Sequence, residues 1–185
     1  GDLKSWMKPQ GVWPTSLMLT TKAAIHYQPK GRVLIIAPWN YPLNLCFGPL
    51  VSALAAGNVA IIKPSEMMPH VSAVMARIIK DVFPEHEVAL FEGSLPTAEA
   101  LLSLPFDHIF FTGSTEIGKV VMTAAAKNLT SVTLELGGKS PTIIDKEVNL
   151  SKAAQKIAWG KLVNAGQTCI APDYILIQKD LVDEF

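Results

Sequence analysis

The sequence predicts an α/β fold, a doubly wound parallel sheet of the Rossmann-like kind, followed by the beginning of a second α/β domain. Short apolar runs rich in β-branched residues recur along the first 137 residues, and segments that read as helices lie between them. Such alternation is typical of right-handed β-α-β units whose parallel sheet is covered on both faces. Short polar motifs follow several of the runs, at the strand ends where open parallel sheets bind their ligands.

The predicted elements follow one another in a simple order. The stretch through Lys30 has little periodicity and is expected to be a loop followed by a hairpin arm. A helix is expected over Val71–Val82, because Val71, Val74, Met75, Ile78, Ile79 and Val82 recur at helical spacing. The five expected strands are Val33–Ile36, Val59–Ile62, Val88–Phe91, His108–Phe111 and Val132–Leu134.

A change of pattern near Gly138 predicts a domain boundary, with one domain over residues 1–137 and a second over 138–185. The chain reaches Phe185 too soon after this boundary to complete another large core, so we expect the second domain to be truncated. Its expected elements are a strand over 140–145, a helix from about Ser151 and a strand over 174–178.

Composition excludes several classes of protein. The chain has 185 residues with 16 basic and 16 acidic side chains, so neither a nucleic-acid footprint nor a polybasic membrane anchor is expected. The two cysteines lack CxxC spacing and the four histidines lack a ligand pattern, so no metal site or disulfide scaffold is predicted. With no visible secretory signal or membrane-spanning run, we expect a cytoplasmic protein.

Two motifs at strand ends are candidates for binding a dinucleotide. The segment over 111–119 follows a strand and precedes a helix, so its N–H groups could face a pyrophosphate, although Gly113 and Gly118 do not form a GxGxxG fingerprint. Lys63 and Glu66 could bond ribose hydroxyls, and a carboxylate there would oppose a 2′-phosphate. The alternatives are an ordinary strand-to-helix turn and a solvated surface pair.

Three residues are candidates for chemistry. Asn40 lies on a turn between two prolines and could donate to an oxyanion, or it could satisfy only its own turn. Glu135 ends a strand before two glycines and is either a general base or a solvated carboxylate. Cys169 lies in a small polar stretch and is either a nucleophile or a buried small hydrophobe, a role that fits Cys46 better.

Taken together and in this order, the motifs resemble those of the aldehyde dehydrogenase superfamily over nearly the whole chain. Ile170-Ala-Pro-Asp-Tyr is similar to the class 3 and fatty or coniferyl aldehyde branch. The four motifs that carry the resemblance are Pro38-Trp-Asn-Tyr-Pro, Phe111-Thr-Gly-Ser, Glu135-Leu-Gly-Gly-Lys-Ser-Pro and Gly166-Gln-Thr-Cys.

The resemblance implies an enzyme that oxidises an aldehyde to a carboxylic acid with NAD, with NADP as the alternative because the branch resembles enzymes that accept both dinucleotides. Cys169 would be the nucleophile, Glu135 the base and Asn40 the oxyanion donor, with a thioester as intermediate. Residues 1–137 would be the dinucleotide-binding domain and 138–185 the start of the catalytic domain. The positions that contact the dinucleotide in relatives are Trp39, Lys63, Glu66, Gly113, Ser114 and Ile117.

The resemblance also covers partners and alternatives. It implies a small aldehyde, medium-chain aliphatic or aromatic, as substrate, and a homodimeric parent protein. An acylating enzyme that resolves the thioester with coenzyme A is the alternative chemistry, although Glu135 favours hydrolysis. A dinucleotide-binding protein without activity is the alternative for a chain that lacks the family's later motifs.

Overall fold

A computed structural model describes residues 2–185. The strands are β1 (Gln10–Val12), β2 (Ala23–Ile25), β3 (Arg32–Ile36), β4 (Val59–Lys63), β5 (Val88–Leu90), β6 (His108–Gly113), β7 (Ser131–Leu136), β8 (Ser140–Ile144) and β9 (Pro172–Ile177). The helices are α1 (Leu3–Trp6), α2 (Pro42–Ala55), α3 (Pro69–Val82), α4 (Leu95–Leu102), α5 (Thr115–Ala126) and α6 (Leu150–Leu162). Every strand and helix expected from the sequence is present, with ends that differ by one or two residues.

The main sheet has five strands in the order β5-β4-β3-β6-β7, and all four pairings are parallel. The chain builds outward from β3 through β4 to β5, then returns by α4 to place β6 on the other side of β3. This reversal makes the carboxyl ends of β3 and β6 a topological switch point, where ligands of open α/β sheets bind. The predicted fold class is therefore confirmed.

Helices on both faces bury the sheet. Leu34 and Ile35 are both 0% exposed, and as neighbours on one strand they point to opposite faces. Ile35 belongs to the core beneath α2 and α3, while Leu34 belongs to the core beneath α4 and α5. Full burial of one such side chain stabilises a fold by about 1.5–3 kcal/mol, so both faces contribute.

Helix α3 is present as predicted, but only part of its apolar face is buried. Met75 and Ile79 pack into the core at 0% and 4% exposure. Val74, Ile78 and Val82 are 43%, 42% and 62% exposed, so the residues that recur at helical spacing are divided between the core and the surface. Adjacent helical residues point about 100° apart, and a helix on one face of a sheet cannot bury so broad a stripe.

Two smaller sheets flank the main one. Strands β1 and β2 form the antiparallel hairpin expected before Lys30, and all of their residues are exposed. Strands β8 and β9 pair in parallel with α6 between them, separately from the five-stranded sheet. The boundary between residues 137 and 138 remains a prediction. No helix within residues 2–185 is both long and apolar enough to cross a membrane.

Candidate active site

The candidate site lies along the carboxyl edge of the main sheet. Strand β3 ends at Ile36 and leads through Trp39 and Asn40 into α2, which begins at Pro42. Proline suits the first helical position because its fixed φ matches the helix and its missing N–H would have no partner there. The turn between β3 and α2 is therefore short and stiff, and it holds Asn40 beside the switch point.

Asn40 is half-buried and reaches across to a distant loop. Its side-chain Nδ2 donates to the main-chain oxygen of Gln167 at 2.7 Å, 127 residues away in sequence. It therefore does not serve its own turn, which was the alternative reading of this residue. A side-chain amide has two N–H groups. Within residues 2–185, Gln167 is the only acceptor for this nitrogen, so one N–H is free for a ligand.

Cys169 is exposed at the start of the turn before β9, so the alternative that it is a buried hydrophobe is wrong. Its main-chain N–H has no acceptor within residues 2–185. The preceding loop is strained, because Asn164 and Ala165 have φ of 51° and 55° and Gly166 follows at 78°. Positive φ costs roughly 1 kcal/mol or more in a residue such as Ala165, and such strain is concentrated at functional sites.

Cys46 has the buried role that the sequence favoured. It is 0% exposed in the core beneath α2. Loss of hydration raises the pKa of its thiol to about 12, against a smaller opposing effect of the nearby Lys63 charge. The thiolate is the reactive form of cysteine, so burial makes Cys46 inert and leaves Cys169 as the thiol available for chemistry.

Glu135 lies near the carboxyl end of the edge strand β7, with its side chain exposed. It borders the same cavity as Cys169, about 510 Å³ in volume and lined mainly by apolar groups of α2 and β6. The structure thus brings Glu135 and Cys169, which are 34 positions apart in sequence (169 − 135), to one cavity. Asn40 is joined to the loop that carries Cys169.

Thr112 is a residue of this cavity that the sequence analysis missed. It is directly opposite Glu135 in the β6–β7 register. Its hydroxyl is buried and is the one such side-chain atom within residues 2–185 without a hydrogen-bond partner. Strand periodicity could have found it, since Phe110 and Thr112 must share a face of β6. An unpaired buried hydroxyl in a cavity is a candidate ligand contact.

Lys63 and Glu66 form an ion pair at the carboxyl end of β4. Lys63 is buried, with 4% of its surface exposed, which overturns the alternative of a fully solvated pair. It donates to the main-chain oxygen of Pro64 at 3.0 Å and to Glu66 Oε2 at 2.9 Å. A hydrogen bond from its own main-chain N–H and that bond from Lys63 lower the pKa of Glu66. The Glu66 carboxylate remains about half exposed and can accept further bonds.

The loop after β6 leads into the helix α5. Ser114 caps this helix, and its Oγ accepts the N–H of Ile117 at 3.3 Å. The remaining N–H groups of the first turn face the carboxyl edge, where the helix dipole favours an anion. Helix α5 passes close to β7 at Gly118, where an added Cβ would come 2.9 Å from Leu136 Cδ2 and the leucine side chain would have to shift. Ile117 itself is 50% exposed.

Sequence comparison decides the family of this chain. The profile of the aldehyde dehydrogenase family matches residues 6–185. The chain belongs to the aldehyde dehydrogenase family. A Bacillus subtilis (strain 168) protein named as an aldehyde dehydrogenase, AldX, is 58% identical over 100% of this chain and 41% of its own length. A dimeric NADP-preferring aldehyde dehydrogenase of Rattus norvegicus is 46% identical over 99% of this chain and 41% of its own.

Solved aldehyde dehydrogenase structures have the same fold. The substrate-bound state of Staphylococcus aureus AldH superposes with a TM-score of 0.94 at 48% identity, over 99% of this chain and 40% of that one. A Mycobacterium tuberculosis aldehyde dehydrogenase complexed with NAD+ gives 0.86 at 32% identity, over 95% of this chain and 36% of that one. The chain therefore spans about 40% of the length of the curated relatives it matches.

Proposed function

We propose that the complete protein containing these residues oxidises an aldehyde to a carboxylic acid with NAD or NADP. One observation carries the proposal: an exposed thiol and a carboxylate border one apolar cavity, and two N–H groups on the loops around it have no acceptor within residues 2–185. These are the parts required for covalent catalysis on a carbonyl carbon. Family membership supports the same activity.

The first step is addition of Cys169 to the aldehyde. The thiolate Sγ forms a bond to the carbonyl carbon, and the carbonyl π electrons move to the oxygen. The second Asn40 N–H and the Cys169 main-chain N–H, which have no acceptor within residues 2–185, can donate to this oxyanion. Loss of one such donor reduces turnover on the order of 100-fold or more.

The carboxyl edge has groups that fit a dinucleotide. The Glu66 carboxylate, held by the buried Lys63 ammonium, can accept hydroxyl protons of a ribose. The first turn of α5, capped by Ser114, can bind a pyrophosphate. Trp39, Gly113 and Ile117 are at least partly exposed on the same edge. A bound dinucleotide would supply the hydride acceptor, and loss of a hydride from the adduct carbon would leave a thioester on Cys169.

Glu135 completes the reaction as a general base. It removes a proton from a water molecule whose oxygen attacks the thioester carbon. The C–S bond then breaks, the carboxylic acid leaves and Cys169 is restored as a thiolate. The position of Glu135 on the Cys169 cavity supports hydrolysis over transfer of the acyl group to coenzyme A.

Cofactor choice, substrate and assembly follow from the same features. We propose NAD as the preferred cofactor, because the Glu66 carboxylate would repel a 2′-phosphate, although the rat relative is named NADP-preferring. The apolar cavity favours medium-chain aliphatic or aromatic aldehydes. Residues 1–137 form the dinucleotide-binding domain in this proposal and 138–185 begin the catalytic domain. We propose that the whole protein is a homodimer, because the rat relative is named dimeric, and that it is cytoplasmic, as the sequence predicted.

The proposal is tested by following NADH formation in the complete protein with a panel of aldehydes. Wild type should produce acid without coenzyme A. Cys169→Ser should make no NADH, whereas Glu135→Gln should release about one equivalent of NADH and then stop, because hydride transfer precedes hydrolysis. If the wild type binds NAD but oxidises no aldehyde, the protein is a dinucleotide-binding member of the family without this activity. A requirement for coenzyme A would contradict the hydrolytic step.

A further inference from the structure

Hydrogen bonds in both directions tie the loop after β3 to the loop that precedes Cys169. Asn40 Nδ2 donates to the main-chain oxygen of Gln167 at 2.7 Å. In return, Asn164 Nδ2 donates to the main-chain oxygen of Asn40 at 2.9 Å. The side-chain amide of each loop thus holds the backbone of the other, and the two bonds together fix both the position and the orientation of Asn40.

Asn164 also organises its own loop. Its main-chain oxygen accepts the N–H of Gln167 at 3.1 Å and the side-chain Nε2 of Gln167 at 2.8 Å. Its φ of 51° is left-handed, a conformation that asparagine tolerates better than other non-glycine residues. One residue therefore shapes the turn before the nucleophile and holds the backbone of the oxyanion donor.

A second contact joins the same two loops, between the residue that follows Asn40 and the residue that follows Gln167. The Tyr41 hydroxyl lies 2.8 Å from Thr168 Oγ1, and both side chains are partly buried. Thr168 directly precedes Cys169, and Tyr41 directly follows Asn40. The two loops are thus joined at Asn40 and again between Tyr41 and the residue directly before Cys169, although 129 positions separate Asn40 from Cys169 (169 − 40).

We propose that Asn164 is a positioning residue that sets the place of the Asn40 amide relative to the Cys169 sulfur, with the Tyr41–Thr168 contact as its second support. This inference rests on the proposed function, because it assigns Asn164 a role in that same reaction. A displacement of about 1 Å in a reacting group can cost on the order of 100-fold in rate. A device that fixes two loops this far apart in sequence therefore has a measurable kinetic effect.

Two substitutions separate the side-chain amide from the backbone turn. Asn164→Gly keeps the left-handed conformation, which glycine adopts freely, but removes the donor. Asn164→Asp keeps the shape of the side chain and replaces the donor with an acceptor. If only the turn matters, Asn164→Gly should resemble wild type. We expect both variants of the complete protein to lose about tenfold or more in kcat, with little change in the KM for NAD.

A double-mutant cycle with Asn40→Ala gives the decisive readout. If Asn164 acts through Asn40, Asn164→Gly should cost little further activity once the Asn40 amide is gone, because coupled residues are not additive. A merely structural role would give the same loss in both backgrounds. Tyr41→Phe should also lower kcat, by less than Asn164→Gly does, and this loss should likewise shrink in the Asn40→Ala background. Asn128→Asp, an exposed asparagine near the end of α5, is the control for added charge.

The outcomes keep the two proposals apart. The positioning role would be overturned if the Asn164→Gly variant kept the kcat of wild type, or if the losses in kcat from Asn164→Gly and Asn40→Ala were additive. Either result would leave the proposed function intact. A wild-type protein that oxidises no aldehyde would overturn the proposed function itself. Thermal unfolding of every variant is measured alongside kcat. If the Asn164 variants fail to fold, Tyr41→Phe provides a second test of the contact between the two loops.

Discussion

At the scale of single residues, environment separates groups that are chemically identical. Cys46 and Cys169 have the same thiol, but one is 0% exposed in the core and the other is on the surface. Lys63 holds a charge at 4% exposure because Glu66 and a main-chain oxygen satisfy its ammonium. Reactivity at this site is thus decided by which atoms surround each side chain.

We expect an alkylating reagent to modify Cys169 and leave Cys46 untouched in the folded protein. Only the thiolate reacts, and burial raises the pKa of Cys46 to about 12. Peptide mass spectrometry after brief treatment at neutral pH measures both sites. Cys169→Ser should then take up no label until the protein is unfolded by denaturant. Rapid labelling of Cys46 in the native state would contradict its burial.

We expect Glu66→Gln to weaken the preference for NAD by about tenfold, because a hydrogen bond to a charged acceptor is replaced by a neutral one. NADP should gain relative to NAD, since the carboxylate that opposes its 2′-phosphate is removed. The ratio of kcat/KM for the two cofactors measures the effect. Glu99→Gln, an exposed site on α4, is the control and should leave the ratio unchanged. A preference that stays constant in Glu66→Gln would show that another residue sets it.

At the scale of elements, close contacts fix how helices and strands are placed around the site. Helix α5 approaches β7 at Gly118, where a Cβ would meet Leu136 Cδ2 at 2.9 Å. At the opposite end of the sheet, Asp107 joins the first residue of β3 to the start of β6. Its Oδ2 accepts the main-chain N–H of Arg32 at 2.8 Å and Arg32 Nε at 3.0 Å. The first contact sets α5 against β7, and the second joins β3 to β6 at the amino end of the sheet.

We expect Gly118→Val to destabilise the protein by about 1–3 kcal/mol through overpacking against β7. Gly48→Val in α2 is a matched control, because both glycines are inside helices and a Cβ at Gly48 meets nothing within 4 Å. The control should be neutral or slightly stabilising, since glycine is a poor helix former. Chemical denaturation measures both. Equal effects at the two sites would contradict the close approach of α5 to β7.

The Arg32–Asp107 pair should make stability depend on pH in the acid range. Hydrogen bonds from the Arg32 side chain and backbone lower the pKa of Asp107 from 3.8 to about 2. A depressed carboxyl pKa stabilises the fold above the unfolded value, and this contribution is lost as pH falls through the folded value. The Tm difference between wild type and Asp107→Asn should thus be constant above about pH 5 and shrink from pH 4 towards 2.

A matched substitution tests that pH dependence. Asp81→Asn removes an exposed carboxylate near the end of α3. Its Tm difference from wild type should stay small across the same pH range. If Asp107→Asn and Asp81→Asn behave alike in acid, the hydrogen bonds to Arg32 contribute nothing measurable and the prediction fails.

At the scale of the whole molecule, the chain leaves large apolar side chains uncovered. On α3, Val74, Ile78 and Val82 are at least 42% exposed. In the unit formed by β8, α6 and β9, Ile143 and Trp159 are 76% and 74% exposed. Monomeric soluble proteins rarely expose contiguous apolar patches of this kind. The chain spans about 40% of its relatives' length, so residues beyond those described can cover these surfaces in the complete protein.

We therefore expect residues 1–185, expressed alone, to bind a hydrophobic fluorescent dye strongly and to form no NADH with aldehydes. The complete protein should bind little dye and be active. Trp159→Lys should lower dye binding by the short chain, whereas Lys156→Arg on the same helix should not. Equal dye binding by the short and complete proteins would show that these surfaces stay uncovered.

By itself, the sequence determined the alternation of strands and helices, the parallel sheet and the motifs at strand ends. The spacing of apolar residues distinguishes helices from strands, and polar residues after apolar runs mark where the strands end. The residues Asn40, Glu135 and Cys169 could likewise be chosen from chemistry and family resemblance.

Only the tertiary structure decided which residues meet. It placed Glu135 and Cys169 on one cavity, buried the Lys63 ammonium and left half of the α3 stripe exposed. It also revealed Thr112 and the exchange of hydrogen bonds between Asn40 and Asn164. These contacts join positions far apart in sequence. The pattern of residue types along a chain does not give the distance in space between such positions. Packing alone sets that distance.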